Sequence, residues 1–306
     1  MLNKSEFRKD YFLNKYVLIT PSRAKRPEEL HEKESTAHLA SCDFCPENLN
    51  YNNVLDQVGN GKKWQAVSIK NIFPALTVDN NTAYGAQEVI IETPDHNKPL
   101  ALLGLGQIET VLKLHIKRIK KLEKIKNIGY VLCFKNHGAR AGASREHSHS
   151  QIFASGLIPP QIEEEMLAAK IYQKKNKTCP CCEIVKRESV GARKIFIDKN
   201  ISAFAPYASQ YHYEAWIMAR EHLADITKLS DKQIGSLAHA LKKILLKLHS
   251  INLPFNFFFH KITNNKDGHF IFKVQPRGSV WAGVELGSGI AINSVAPEEA
   301  AAFYRR

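Results

Sequence analysis

The sequence predicts an α+β fold made of two tandem units, each an antiparallel sheet carrying one principal helix. Three observations predict it. A Cys-x-x-Cys pair occurs twice, as "CDFC" (42–45) and within "CPCC" (179–182). Each pair is followed, in the same order, by an aromatic and proline-bearing segment, a histidine, a helix and a His-x-His or His-x-Ile strand. The gaps between these landmarks are similar in both halves, which places the units at 1–158 and 159–306.

In the first unit "NIFPAL" (71–76) follows Cys42 and Cys45, and His96 follows the strand-like "EVIIET" (88–93). Leu112, Leu114, Ile116, Ile119, Leu122 and Ile125 then form the apolar face of a helix over 112–127. A second strand-like run, "YVLCF" (130–134), leads to "REHSHSQIF" (145–153). If that segment is extended, His147, His149 and Gln151 leave the same face. Such a row can ligate a metal, attack a phosphorus atom, or simply be the polar face of a strand.

The helix "PPQIEEEMLAAKIYQKK" (159–175) links the units. In the second unit the order is "SAFAPYA" (202–208), "EAWIMA" (214–219), His222, a helix, "NFFFHKI" (256–262) and His269-x-Ile271. The helix opens with Ser230 and has Gln233 three residues later, a capping-box pattern.

A chain of 306 residues with 44% hydrophobic and 24% charged residues can bury a large core. No apolar run reaches the roughly 18 residues of a membrane helix. The start, "MLNKSEFRKDYF", has no apolar core of a signal peptide, so a cytoplasmic protein without a membrane partner is expected. The formal charge of +13 invites a nucleic-acid reading. Much of that charge lies on the 112–127 helix, as a solvated face would. The aromatic clusters "FNFFF" and "YASQYHYEAW" contain no Lys or Arg, which argues against a nucleic-acid surface. An anionic small substrate would suit the charge equally well.

Six cysteines in a cytoplasmic chain should be thiols or metal ligands. One Cys-x-x-Cys pair could be redox-active, but two pairs with histidines at matching places favour zinc. Cys42, Cys45, His96 and His147 make one four-ligand set, and Cys179, Cys182, His222 and His269 a second, giving two zinc ions per chain. Cys181 is then spare and Cys133 a small core residue. With His147 on the metal, His149 is left free. The second unit has Ile271 and Lys273 where the first has His149 and Gln151, so only one unit keeps a reactive strand. A neutral imidazole is a good nucleophile toward phosphorus. The preceding loop, "NHGARAGASREH" (136–147), supplies Gly138 and Gly142 for close backbone approach, and Asn136 and Ser144 as side-chain donors.

At these residues the chain resembles the galactose-1-phosphate uridylyltransferase family of the histidine-triad superfamily. The likeness is carried by "FRKDYFLNKYVLITPSRAKRP" (7–27), "CDFCPEN", "NIFPAL", "TPDHNK" and "GASREHSHSQ", in family order. It implies two histidine-triad-like units, the second with a degenerate active strand, and a homodimer. It implies that zinc is held as above and that His149 attacks the α-phosphorus of a nucleotide sugar. Gln151 and Ser144 would bind phosphoryl oxygens, with Asn136 and Gly142 beside them. Asn71 and Phe73 would flank the base, Arg8, Arg23 and Arg26 match the N-terminal signature, and Glu285 would contact the hexose. A hexose 1-phosphate, or inorganic phosphate, would then collect the nucleotidyl group. The "CPCC" pair and "WAGVELGSGIAINSVAPEEAA" (281–301) are more similar to short members of the ADP-glucose phosphorylase kind, and Val284 stands where the long enzymes have an aromatic residue. The leading expectation is a hexose-1-phosphate uridylyltransferase. An NDP-sugar phosphorylase, a nucleotide hydrolase and a zinc-stabilised nucleic-acid-binding protein are the alternatives.

Overall fold

The computed structural model describes residues 4–25, 42–265 and 267–306. The first unit contributes β3 (Val54–Asn60), β4 (Lys63–Lys70), β5 (Gly85–Ile91), α1 (Leu105–Leu122), β6 (Tyr130–His137) and β7 (His149–Ser155). The second repeats the series as β8 (Lys194–Ile197), β9 (Ile201–Phe204), β10 (Ala215–Ala219), α4 (Asp231–Ser250), β11 (Phe255–Ile262) and β12 (Ile271–Pro276). Two helices join them, α2 (Pro160–Asn176) and α3 (Pro180–Glu188). Ahead of the series lie β1 (Glu6–Lys9) and β2 (Tyr16–Ile19); after it come α5 (Gly283–Ser288), β13 (Ala291–Asn293) and α6 (Pro297–Arg305).

The predicted half-sheets exist, and they are fused. One ten-stranded antiparallel sheet runs β3-β4-β5-β7-β6-β11-β12-β10-β9-β8, so the second half mirrors the first across the β6–β11 seam. That seam is a full ladder from Phe255↔His137 to Ile262↔Tyr130. A separate three-stranded sheet, β1-β2-β13, brings the two ends of the chain together.

Alternation along the central strands decides what each face does. Val131 and Cys133 of β6, Ile152 and Ala154 of β7, and Phe255, Phe257 and Phe259 of β11 turn to one face and are buried. There they meet α1 and α4, which pack against each other, in a single core. Cys133 is a core residue, as its strand position predicts. The opposite face carries His149 and Gln151 and, at the equivalent places, Ile271 and Lys273. The register fixes this equivalence: His149 pairs Ile91 and Ile271 pairs Met218, while Gln151 pairs Val89 and Lys273 pairs Trp216.

Local rules hold at most elements. Ser230 and Gln233 form the reciprocal capping box at the start of α4. The first principal helix lies earlier than its apolar stripe predicts, starting at Leu105 and ending at Leu122. Two glycines, Gly104 and Gly106, hide the start, and the left-handed Asn127 (φ 64°) closes the turn that follows the end. The basic face of α1 is partly neutralised by one acid, because Lys117 and Lys121 reach Asp56 at 2.6 and 2.9 Å. Among the described residues no helix is long and apolar enough to cross a membrane.

Candidate active site

The two predicted ligand sets are assembled. Cys42, Cys45, His96 and His147 bring their ligand atoms within 4.8 Å of one another, and so do Cys179, Cys182, His222 and His269. In the first set, Cys45 Sγ lies 3.4 Å from His96 Nδ1 and 3.7 Å from His147 Nδ1, with Cys42 Sγ 3.6 Å from the latter. In the second, Cys182 Sγ lies 3.4 Å from His222 Nδ1 and 3.8 Å from His269 Nδ1. Ligands about 2.0–2.3 Å from a tetrahedral zinc stand roughly 3.3–3.8 Å from each other, so the donor sets fit that ion. The tautomers fit as well. His147 donates through Nε2 to the Thr93 carbonyl (2.8 Å) and His269 through Nε2 to the Ala219 carbonyl (3.1 Å), leaving each Nδ1 lone pair for the metal.

His149 opens β7 and faces a cavity of about 440 Å³ lined by Asn136, His137, Ser144, Arg145, His249 and Pro254, among others. Its Nδ1 donates to the His147 carbonyl at 2.8 Å, which leaves the Nε2 lone pair available. Burial, and then the Lys135 charge nearby, push its pKa down to about 4, so the imidazole is neutral at pH 7. Phe44, from the first Cys-x-x-Cys turn, packs against the ring in a T-shaped arrangement with centroids 5.2 Å apart.

Behind the strand lies a buried ion pair. Lys135 Nζ donates to Glu92 Oε2 (2.7 Å), to Ser148 Oγ (3.2 Å) and to the backbone carbonyl of His149 (2.7 Å). Burial alone would raise the pKa of Glu92, but Lys135 and Ser148 hold it below its usual range. On the helix side, Ser150 Oγ meets His115 Nε2 at 3.0 Å. The His149 ring is therefore set by three grips: its own Nδ1, the ammonium under its carbonyl, and the T-shaped contact with Phe44.

The glycines of the preceding loop are required by shape. Gly138 (φ 83°) lies where a Cβ would come within 2.9 Å of Pro254, and Gly142 (φ 82°) is left-handed. Gly142 offers its carbonyl to Asn136 Nδ2 at 3.3 Å, and Asn136 Oδ1 accepts from Asn256 of the second unit at 2.9 Å. Thus Asn136, Gly142, Ser144, His147 and His149 come together. Gln151 lies one pleat further along the same face.

Other predicted site residues lie outside the lining of this cavity. Asn71 caps its own loop through Phe73 N at 2.9 Å, and Phe73 is 85% exposed. Arg23 is exposed in the turn Pro21–Lys25, and Arg26 falls outside the described residues. Arg8 is buried and bonded to Glu298 (3.1 Å) and to the Tyr207 carbonyl (3.1 Å). Glu285 caps α5, accepting from Ala282 N at 3.0 Å.

Sequence reasoning missed Lys135, Glu92, Phe44 and Arg145. One signal was present for the first: Val131, Cys133 and Lys135 share an inward face, where a lysine needs a buried partner.

A family model for the N-terminal domain of galactose-1-phosphate uridyl transferase matches residues 2–159. ADP-glucose phosphorylase from Arabidopsis thaliana is 30% identical over 98% of this chain and 92% of its own length. Galactose-1-phosphate uridylyltransferase from Thermotoga maritima is 26% identical over 97% and 96%. Among solved structures, an ADP-glucose phosphorylase from Arabidopsis thaliana with bound ADP-glucose superimposes with a TM-score of 0.88, at 30% identity, over 99% of this chain and 98% of the other. A uridylyltransferase structure gives 0.77 at 28% identity, over 99% and 97%.

Proposed function

Because the chain belongs to the galactose-1-phosphate uridylyltransferase family, with its ADP-glucose phosphorylase-like members, we propose that it is an NDP-sugar phosphorylase working through a nucleotidyl-His149 intermediate. The observation that carries this reading is the tautomer of His149, whose anchored Nδ1 leaves Nε2 open to the cavity. In the first step Nε2 attacks the α-phosphorus of a nucleotide sugar. The bond from that phosphorus to the bridging oxygen breaks, and sugar 1-phosphate leaves. In the second step a phosphate oxygen attacks the same phosphorus, the P–N bond breaks, and a nucleoside diphosphate departs. Asn136, Ser144 and the glycine-bearing loop would bind the non-bridging oxygens as charge builds on them. Bound zinc would supply folding free energy at each Cys-Cys-His-His set rather than chemistry on the substrate, because all four positions are protein ligands.

The acceptor distinguishes this from the uridylyltransferase expectation, in which a hexose 1-phosphate collects the group. Two features favour the phosphorylase. The second Cys-Cys-His-His set and the 281–301 segment resemble those of the short members, and the relative known as ADP-glucose phosphorylase is 30% identical, against 26% for the Thermotoga maritima uridylyltransferase. Intact-mass measurement after mixing with UDP-, ADP- and GDP-sugars, without acceptor, reads the nucleotide from the mass added. Chasing the adduct with phosphate or with glucose 1-phosphate then reads the acceptor. An adduct discharged by glucose 1-phosphate and not by phosphate returns the assignment to the uridylyltransferase. A cytoplasmic homodimer completes this reading, since a second copy could bring the exposed Phe73 and Arg23 or the half-buried Glu285 to the His149 cavity; sedimentation of a monomer would rule that out.

A further inference from the structure

A nucleotide sugar presents a diphosphate, so the cavity before His149 needs a cation for it. Besides His149 itself and His96 and His147 of the first ligand set, four lining residues are basic: Lys135, His137, Arg145 and His249. Lys135 is buried, and its ammonium already serves Glu92, Ser148 and the His149 carbonyl. Burial, and then the Lys135 charge, push the pKa of His137 down to about 4, so it is neutral at pH 7. His249 belongs to the last turn of α4, across the cavity on the second unit. Arg145 differs from all three. It stands between Ser144 and His147 on the catalytic loop, its planar guanidinium matches the geometry of a phosphate, and its side chain is 28% exposed.

Its guanidinium lies over the Phe44 ring at 5.4 Å, and that ring packs T-shaped against His149. Its carboxylate partner is Asp43, at 2.7 Å, whose side chain is 59% exposed. An exposed pair of this kind is weak and easily exchanged. The diphosphate of a nucleotide sugar, with one negative charge on each phosphate, offers the guanidinium a bidentate partner instead. We propose that Arg145 is a substrate-phosphate ligand, parked on Asp43 at the rim of the cavity and released to the phosphate when substrate enters. This rests on the nucleotidyl-transfer reading for its substrate, and on the cavity geometry for everything else.

The pair Arg145→Gln and Asp43→Asn tests it, because the two changes have opposite signs if the residues compete. Inorganic pyrophosphate, titrated calorimetrically into the metal-loaded full chain, serves as a probe that needs no turnover. Arg145→Gln should weaken it about tenfold or more, the scale of a charge-assisted hydrogen bond to phosphate. Asp43→Asn should tighten it, by up to about fivefold, as the parking partner is removed. Arg145→Lys should recover part of the loss. A tie that merely holds the loop predicts that both variants weaken binding; that result, or an Arg145→Gln variant that binds like wild type, overturns the proposal. Two half-reactions then identify the phosphate served: adduct formation from nucleotide sugar for the donor, and adduct discharge by inorganic phosphate for the acceptor. A wild-type chain that forms no adduct with any nucleotide sugar counts against the transfer reading, while the pyrophosphate titration still decides on Arg145.

Discussion

His149 and His147 stand two residues apart and have opposite ring assignments. His147 donates from Nε2 and keeps Nδ1 for metal; His149 donates from Nδ1 and keeps Nε2 for the cavity. The division was readable from the sequence because the second unit has the histidine at 269 and an isoleucine at 271. It follows that His149→Ala should form no nucleotidyl-enzyme yet retain both metal sets. His147→Ala should lose metal first and activity as a consequence. Metal analysis and intact mass on the same samples separate the two, and normal turnover by His149→Ala would sink the mechanism. What the sequence could not display was the support of the ring. Lys135 and Glu92 are 43 positions apart, and only the pairing of neighbouring strands puts them beneath His149. Lys135→Met should cost about 3–5 kcal/mol of stability, because it leaves a buried carboxylate unpaired. The double change Lys135→Met with Glu92→Leu should recover most of that in urea unfolding, while adduct formation stays slow. A double variant with wild-type adduct rates would show the pair to be packing alone.

Each Cys-Cys-His-His set gathers a Cys-x-x-Cys segment, a turn at Cys42 and the start of α3 at Cys179, against the ends of inner strands, and the repeat in the sequence was enough to find both. Metal analysis should therefore give two zinc ions per chain. His96→Ala should lower the melting temperature and empty the first set alone, because a structural ligand contributes folding free energy. A stoichiometry of one would instead mean that only one set is a metal site. The α4 cap was equally legible, since Ser230 and Gln233 interact within one turn and need no tertiary context. Ser230→Ala should cost about 1 kcal/mol, measurable as a shift in urea midpoint at constant slope. The outer strands were less legible. In β3, "VLDQVGN" is interrupted by a register shift at Val58/Gly59, and Gly59 (φ 100°) lies where a Cβ would come within 2.6 Å of the Lys63 carbonyl. β8 and β9 have four residues each, too few for alternation to register.

The fusion of two half-sheets was not visible at all from one sequence. A strand such as β6 carries the same alternation whether it ends a sheet or continues one, and nothing local names β11 as its neighbour. The outcome is a chain in which the loop before His149 in one unit leans on the other, through Asn136 to Asn256 and Gly138 to Pro254. The chain ends are tied in as well, and here charge sets the pH dependence. Glu298 of α6 accepts from Arg8 of β1 (3.1 Å) and from Arg193 beside β8 (2.8 Å). Burial would raise the pKa of this carboxyl, but the two guanidinium groups outweigh it and hold the group below its ordinary 4.5. A carboxyl lowered in the folded state binds protons more readily when unfolded. Its stabilisation is therefore complete above the ordinary value and disappears as pH falls through the lowered one. Glu298→Gln should accordingly be less stable than wild type at pH 7, by an amount that holds steady down to about pH 5 and shrinks below it. Urea midpoints of both chains, taken from neutral pH down through the acid range, check this directly. A gap that stays constant or widens on acidification would mean that Glu298 joins the ends by shape rather than by charge.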